Sequence, residues 1–378
     1  MLLFDLTALQ PIGKTANHGG KEYGEAVLFE IMRRNIPISG IYNSRVDLNE
    51  QFIEYCREKG DLIDNNECSL QEAINSGKYS SFYSALPYSY SNMDWKDVKF
   101  YGNIHGLRDV EAFTDKNEIL YAQSFRQKII ANIKKLNFVR RIKVTKIIDD
   151  LKTIIYNKNF ICLTGSEHSK HSIMVHFPQK TASDIKVFFD PLIIEKPSDN
   201  IANQYGKYYL LVSGNRWIKN TFRGVQALDE LITTGQINTK VVVTGVTGEL
   251  PWIKHVRNKN CFIFKGYVSA DELASLFKNA YSLIFLSLSE GFGYPPLEAM
   301  SRGVPVICSP LTALYEVYQN GVLYCDPYSV DDIKTKILEF ETPEIHEQYV
   351  KQSQIRYKEM IKLQEEHLVQ LVDYILSE

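Results

Sequence analysis

An α/β fold in two halves, each with its own largely parallel sheet, is what this chain predicts, and three observations carry the prediction. At 378 residues it exceeds what one core usually organises, and the usual ~100–200 residues per domain gives two. Short apolar runs alternate with amphipathic segments along most of the length, the signature of strand-helix repeats. The stretch PLIIEKPSDNIANQYG (191–206) is polar and turn-rich and is the best linker in the chain.

The elements run in order from the first residue. MLLFDL (1–6) reads as a strand, TALQPIGKTANHGG as a loop, and KEYGEAVLFEIMRRN as a helix with Tyr23, Val27 and Ile31 at turn spacing. IPISGIY is the next strand. VKFYGNIHGLRDVE (98–111) reads as a strand followed by a turn, which sets His105 at the strand's carboxyl end. A second series starts at the strand KYYLLVSG (207–214) and runs through the helix FRGVQALDELITT, the strands TKVVVTG and NCFIFKG, and the helix SADELASLFKNA. The strands SLIFLSLS and VPVICS complete a doubly wound pattern. The stretch 345–378 is helical by period. The expected boundaries are therefore a first domain over 1–190, a linker over 191–206, a second domain over 207–355 and a terminal helix over 356–378.

Composition excludes several classes. Lys and Arg number 43 against 45 Asp and Glu, so charge makes no case for nucleic acid. The six cysteines are scattered without a Cys-x-x-Cys pair, which suggests neither a zinc knuckle nor a disulfide framework and favours a reducing compartment. The first residues hold an apolar run broken at Asp5 and no basic leader, and no stretch reaches the ~18 apolar residues of a spanning helix, so the expectation is a soluble, cytosolic protein.

The segment SEGFGYPPLEAM (289–300) concentrates the chemistry. Its strand ends at Glu290, so this carboxylate should stand at the carboxyl edge of a parallel sheet, where open α/β sheets bind ligands. Gly291 and Gly293 leave the backbone unobstructed, and Pro295 and Pro296 fit the first turn of a helix, whose free N–H groups attract anions. Glu298 is not explained by a capping box, because Pro295 stands where Ser or Thr is wanted. In SGNRWIKN (213–220), Arg216 and Lys219 come after the first strand of the second half. There a Lys can meet a diphosphate as a point charge and an Arg as a fork, or both can be solvated loop bases.

The run FLSLSEGFGYPPLEAMSRGVPVICS (285–309) resembles the Glu-(seven residues)-Glu motif of retaining nucleotide-sugar glycosyltransferases of the GT-B fold, family 4 (glycosyl transferases group 1), including the internal Gly-Phe-Gly and the proline. The likeness continues through PLTALYEV, where Glu316 takes the place of an acid usually preceded by proline, here Tyr315, and through NGVLYCDPYSVDDIKTKI. It is strong over 207–340 and fainter over 1–190. The resemblance implies two Rossmann-like domains facing a cleft, with helix 356–378 crossing back onto the first. It implies transfer of a sugar from a nucleoside diphosphate sugar to a hydroxyl acceptor with retained configuration. Family frequency suggests bacterial surface polysaccharide or glycolipid assembly, lipopolysaccharide included.

Carried onto this sequence, the family's roles put Glu290 against the donor sugar and Glu298 on the ribose hydroxyls, with Gly291 and the amides of Phe292 and Gly293 toward sugar or phosphate. Lys219, then Arg216, would meet the diphosphate. CFIFKGYVSADELASLF resembles the unit that covers the base, which implicates Tyr267 and Val268. The segment around His105 is similar to a strand-His-Asp-Leu motif, with Gly106 in the aspartate's place, and implies contact of His105 with the donor sugar. Gly19 and Gly20 resemble the glycine-rich loop that approaches the diphosphate from the opposite domain. SEHSK (166–170) also has a family counterpart, read as structural. No Asp-x-Asp pair occurs, the arrangement by which many other glycosyltransferases hold a divalent ion, so transfer without metal or cofactor is expected. Two other readings stand: a non-catalytic GT-B protein that binds nucleotide or carbohydrate, and a GT-B sugar-nucleotide epimerase.

Residues 119–147 carry Arg126, Lys128, Lys134, Lys135, Arg140, Arg141, Lys143 and Lys146 without one acid, and Ile129, Ile133 and Leu136 recur at helical spacing. One reading is a solvated helix of the first domain whose apolar side is core. The other is a surface that holds the protein at an anionic membrane, where a lipid-linked acceptor would be presented.

Overall fold

The computed structural model describes residues 1–11, 19–191 and 203–377, so most of the expected linker and half of the expected first loop lie outside the described residues. In chain order the first elements are β1 (Leu2–Asp5), α1 (Gly19–Arg33), β2 (Ser39–Tyr42), α2 (Glu50–Lys59), β3 (Leu62–Asp64), α3 (Leu70–Asn75), β4 (Ser81–Ser84) and β5 (Lys99–Asn103). Next come α4 (Arg108–Glu111), α5 (Phe125–Lys134), α6 (Asn137–Ile155), β6 (Phe160–Thr164), α7 (Glu167–His176) and β7 (Ile185–Val187). The remainder comprises β8 (Tyr208–Leu211), α8 (Thr221–Thr233), β9 (Lys240–Val243), β10 (Phe262–Phe264), α9 (Ala270–Asn279), β11 (Ser282–Phe285), α10 (Tyr294–Ser301), β12 (Val306–Cys308), α11 (Ala313–Tyr318), β13 (Leu323–Tyr324), α12 (Val330–Phe340) and α13 (Pro343–Leu376).

Two compact units result, one of Met1–Leu107, Lys146–Ile193 and Lys362–Glu378, the other of Arg108–Thr145 and Ile194–Ile361. The first holds a seven-stranded sheet in the order β3-β2-β1-β4-β5-β6-β7, with Leu3 paired to Ser39 on one side and to Phe82 on the other. The second holds six strands in the order β10-β9-β8-β11-β12-β13, with Leu210 between Val242 and Leu283. All these pairings are parallel, and each sheet reverses its strand order once, between β1 and β4 and between β8 and β11, as doubly wound folds do.

Strands such as KVVV and SLIF are apolar on successive positions because helices cover both faces of a parallel sheet. In the second unit Val241, Val243, Ile284 and Ile307 pack with Val225, Leu228 and Leu231 of α8 and with Ile333, Ile337 and Phe340 of α12. Each such side chain contributes about 1.5–3 kcal/mol by leaving water. In the first unit Tyr23, Val27 and Ile31 of α1, together with Leu371, Val372 and Ile375 of α13, share a core with Phe4, Tyr83, Tyr101 and Leu163. The terminal helix thus joins the first unit, but as the end of an unbroken 34-residue α13 rather than as a separate segment from 356.

The division differs from a boundary near 190 in one respect: residues 108–145 count with the second unit. Arg223 of α8 reaches Asp115 at 2.9 Å, the Phe222 N–H donates to the Tyr121 hydroxyl at 2.8 Å, and Tyr121 lies in the second core. The basic stretch expected as one helix of the first domain is two helices, α5 and α6, broken at Lys135–Leu136. Its apolar positions Ile129, Ile133 and Leu136 are exposed rather than core.

Candidate active site

At the switch point of the second unit β8 and β11 lie side by side, and the loops that leave their carboxyl ends converge. After β8, Gly214 packs so tightly that a Cβ would come within 2.9 Å of Val246, and a single turn over Trp217–Lys219 brings Lys219 back under the sheet edge. After β11 the chain stays extended: the Leu288 N–H donates to Ile218 O at 2.9 Å, which ties the two loops together and carries Glu290 beside Lys219. The Lys219 ammonium donates to a carboxylate oxygen of Glu290, and both side chains are buried.

Two further cations join them. The Arg108 guanidinium, from α4, stands 3.8 Å from the other Glu290 oxygen, and its Nε is buried without a partner. Arg216, exposed, repels Lys219 and attracts Glu290. Burial pushes the Glu290 carboxyl up, but Lys219 and Arg108 outweigh it and hold the group below the usual carboxylate range. Burial lowers Lys219, and the neighbouring arginines add to that against the pull of Glu290, so the ammonium sits below the usual lysine range. Three positive groups around one carboxylate leave net positive charge at the end of the sheet, a site that suits an anion.

The elbow after Glu290 is held from below. Thr312 accepts the Glu290 N–H at 2.9 Å from a backbone at φ 55°, ψ −131°, a strained conformation for a β-branched residue. Gly293 adopts φ 91°, where a Cβ would come within 2.6 Å of Leu314, and its carbonyl accepts from the buried Tyr318 hydroxyl. From there α10 starts with prolines in its first turn and carries Glu298, half-buried, whose carboxylate attracts Arg302 one turn on. Gly291 is half-buried, Phe292 is buried against the Tyr294 ring, and Ser289 donates to Glu111 at 3.0 Å. Tyr267 and Val268 lie between β10 and α9. Tyr267 is 82% exposed, with its hydroxyl 3.3 Å from the Asn215 amide nitrogen.

The remaining candidates lie in the first unit. His105, just past β5, donates from Nε2 to Ala85 O at 2.9 Å and accepts at Nδ1 from Asn103 at 2.8 Å, with Asp190 3.6 Å from Nδ1 and the Tyr23 ring edge-on to it. Gly19 and Gly20 open α1, and a Cβ on Gly20 would come within 2.5 Å of Leu86 beyond β4, so this glycine allows helix and loop to close on each other. Ser166 caps α7, in keeping with a structural role for SEHSK. Among the described residues no cluster of three or more His, Cys, Asp or Glu is arranged to hold a metal.

Reading the sequence for the second unit brought Lys219, Arg216 and Glu290 together and missed Arg108, Glu111, Ser289 and Thr312. The string HGLRDVE, singled out for its histidine, holds Arg108 three residues on, and that was the available signal.

Residues 194–358 match the glycosyl transferases group 1 family. Over 137 residues the chain is 34% identical to the O-antigen chain mannosyltransferase B of Escherichia coli, a match covering 35% of this chain and 36% of that protein. Over 146 residues it is 32% identical to the O-antigen chain mannosyltransferase RfbU of Salmonella typhimurium, covering 36% and 39%. The matched stretches therefore span little more than a third of these relatives. Among solved structures, the chain superposes on WaaG, a glycosyltransferase involved in lipopolysaccharide biosynthesis, with a TM-score of 0.66 at 14% identity over the whole of both chains. The sucrose-phosphate synthase of Thermosynechococcus elongatus gives 0.68 at 12% identity over 99% and 97%. The fold is thus GT-B, a pair of Rossmann-like units with helices around parallel sheets. The match to the glycosyl transferases group 1 family falls within the second of them.

Proposed function

We propose that the chain is a glycosyltransferase that moves a sugar from a nucleoside diphosphate sugar to a hydroxyl acceptor in surface polysaccharide assembly. The observation that carries the reading is the buried Lys219–Glu290 pair flanked by Arg108 and Arg216 at the switch point of a glycosyl transferases group 1 domain. A leaving diphosphate gains negative charge as its bond to the sugar breaks, and fixed cations in a partly dry site stabilise that charge without reorganising. Glu290, ionised at neutral pH, cannot act as a proton donor there. It accepts hydrogen bonds from sugar hydroxyls and holds Lys219 in place. Glu298, on α10, takes the ribose hydroxyls.

With no separate base in this reading, the acceptor attacks from the face that the leaving group vacates. The bond from the anomeric carbon to phosphate oxygen breaks, the bond to the acceptor oxygen forms, and the acceptor proton passes to a phosphate oxygen, so configuration is retained. The names of the two mannosyltransferases make mannosyl donors the first to test. The test is a thermal-stability screen of nucleoside diphosphates and their sugars, in which a ligand at 100 times its Kd adds about 2.7 kcal/mol. An assay for nucleoside diphosphate release and NMR of the product's anomeric centre complete it. No stabilisation by any nucleotide and no release would end the reading, and an inverted product would end its stereochemical part. Transfer is proposed to be metal-independent: activity should survive chelation, and activity that chelator abolishes and manganese or magnesium restores would refute that.

A further inference from the structure

The two helices α5 and α6 leave an apolar row in solvent that no packing among the described residues covers. Phe125 is 79% exposed and stands one turn from Ile129, which stands one turn from Ile133; Phe138 and Ile142, each 63% exposed, repeat the spacing on α6. Ile130 and Leu136 are exposed as well. A single exposed apolar residue needs no account, whereas seven within eighteen residues form a patch of the kind that marks an interaction surface.

The charge around this patch selects its occupant. Arg126, Lys128, Lys135, Arg140, Arg141, Lys143 and Lys146 are all exposed, and the stretch 119–147 holds no acid in a chain whose formal charge is −2. Lys134 is not among them: its ammonium pairs with Glu118 at 2.8 Å and lies over the Phe113 and Trp217 rings. Lys146 continues the row of Phe138 and Ile142 one further turn, where a long basic side chain can lay its stem along apolar surface and lift its charge into a headgroup layer. A short helix pair with apolar side chains outward and bases beside them suits the boundary between lipid headgroups and acyl chains.

We infer that α5 and α6 dock the protein on a membrane surface rich in anionic lipid, with Phe125, Ile129, Ile133, Phe138 and Ile142 entering the headgroup boundary and the flanking bases meeting lipid phosphates. This surface is independent of the transferase chemistry. If both hold, the surface brings the enzyme to lipid-borne acceptors.

The test is co-sedimentation of the purified full chain with vesicles of phosphatidylcholine alone and with vesicles containing phosphatidylglycerol, at low and high salt and without any sugar nucleotide. Binding is expected only to the anionic vesicles and should weaken as salt rises, because the screening length falls to about 8 Å at physiological ionic strength. Each base near such a surface strengthens attachment about fivefold, so Arg140→Glu with Lys143→Glu should weaken it at least ~20-fold. Phe138→Ser with Ile142→Ser should weaken it while leaving the bases in place. Both pairs are exposed, so circular dichroism should report an unchanged fold. Three results would overturn the inference: no binding of the unaltered chain to anionic vesicles at low salt, equal binding to both vesicle types, or binding that neither variant reduces. Concentration-dependent self-association abolished by Phe138→Ser with Ile142→Ser, without vesicle binding, would assign the patch to a second copy instead and overturn it equally.

Discussion

Lys219 and Glu290 are 71 residues apart in sequence and share a hydrogen bond at 8% and 6% exposure, each carried there by the loop beyond one of the two strands at the switch point of the second sheet. A buried pair of this kind contributes little net stability, but breaking it leaves a charge in a dry site. Glu290→Ala should therefore cost about 3–5 kcal/mol in denaturant unfolding, Glu290→Gln distinctly less because its carbonyl still accepts from Lys219, and Lys219→Met combined with Glu290→Leu about nothing. All three should lose turnover. A double variant as unstable as Glu290→Ala would show that the pair holds the fold rather than the chemistry.

The same pair fixes a pH dependence. Glu290 has a folded pKa below its ordinary 4.5, so its contribution to stability is complete above that value and is lost as pH falls through the folded one. The melting temperature of the unaltered protein should thus approach that of Glu290→Gln as pH drops below 4.5 and stay apart from it at neutrality. Lys219, depressed below 10.5, has its cost at neutral pH and is relieved in alkali, so it cannot produce the acid-side convergence. Parallel curves throughout the acid range would contradict the assignment.

Glu298→Ala should weaken binding of a free nucleoside diphosphate by roughly 10- to 150-fold, the equivalent of charge-assisted hydrogen bonds worth about 1.5–3 kcal/mol. The half-buried helix position predicts little change in unfolding. Isothermal titration checks both arms, since affinity that survives the substitution removes Glu298 from the ribose.

Much of this was legible in the sequence because parallel strands announce themselves. KVVV and SLIF are apolar at every central position, and a residue just beyond such a strand falls at the sheet's carboxyl edge, which is how Glu290 could be placed there; Lys219 was named separately, from the loop after the first strand of that half, and only the structure pairs the two. Arg108 was missed for the opposite reason. Its place depends on residues 108–145 joining the second unit through Asp115–Arg223 and Tyr121, contacts made across about a hundred residues that no local period encodes. Thr312 was equally hidden, since a strained threonine looks like any other until its backbone angles are known. The exposure of Ile129 and Ile133 was not readable either: helical spacing shows that a face exists and leaves open what covers it.

The cysteines give a check on both units at once. Burial pushes the Cys56 and Cys162 thiols up to about 12 and raises those of Cys308 and Cys325 as well, whereas Cys68 and Cys261 are only half-buried. A thiolate-selective reagent at pH 8 should modify two cysteines in the native protein and all six after denaturation. Rapid native labelling of Cys162, in the first sheet, or of Cys308, in the second, would contradict the strand assignments that bury them.

Arg108 offers the most direct test of the site, because only the folded structure points to it. Its guanidinium is one of two cations that hold Glu290 below the carboxylate range, and it is near enough to the Lys219–Glu290 pair to face an anion seated there. Arg108→Gln keeps a shorter, neutral donor, removes the charge, and touches a side chain that is 42% exposed, so stability should change little. Two effects should appear together. Affinity for the nucleoside diphosphate should fall, and fall less at high salt, where the lost attraction was already screened. The acid limb of the pH–rate profile should move to higher pH, because Glu290 without Arg108 titrates closer to its ordinary value. A purely structural arginine would lower stability and leave that limb in place. A variant whose affinity falls while its acid limb stays fixed would separate Arg108 from Glu290 and leave it a ligand contact alone.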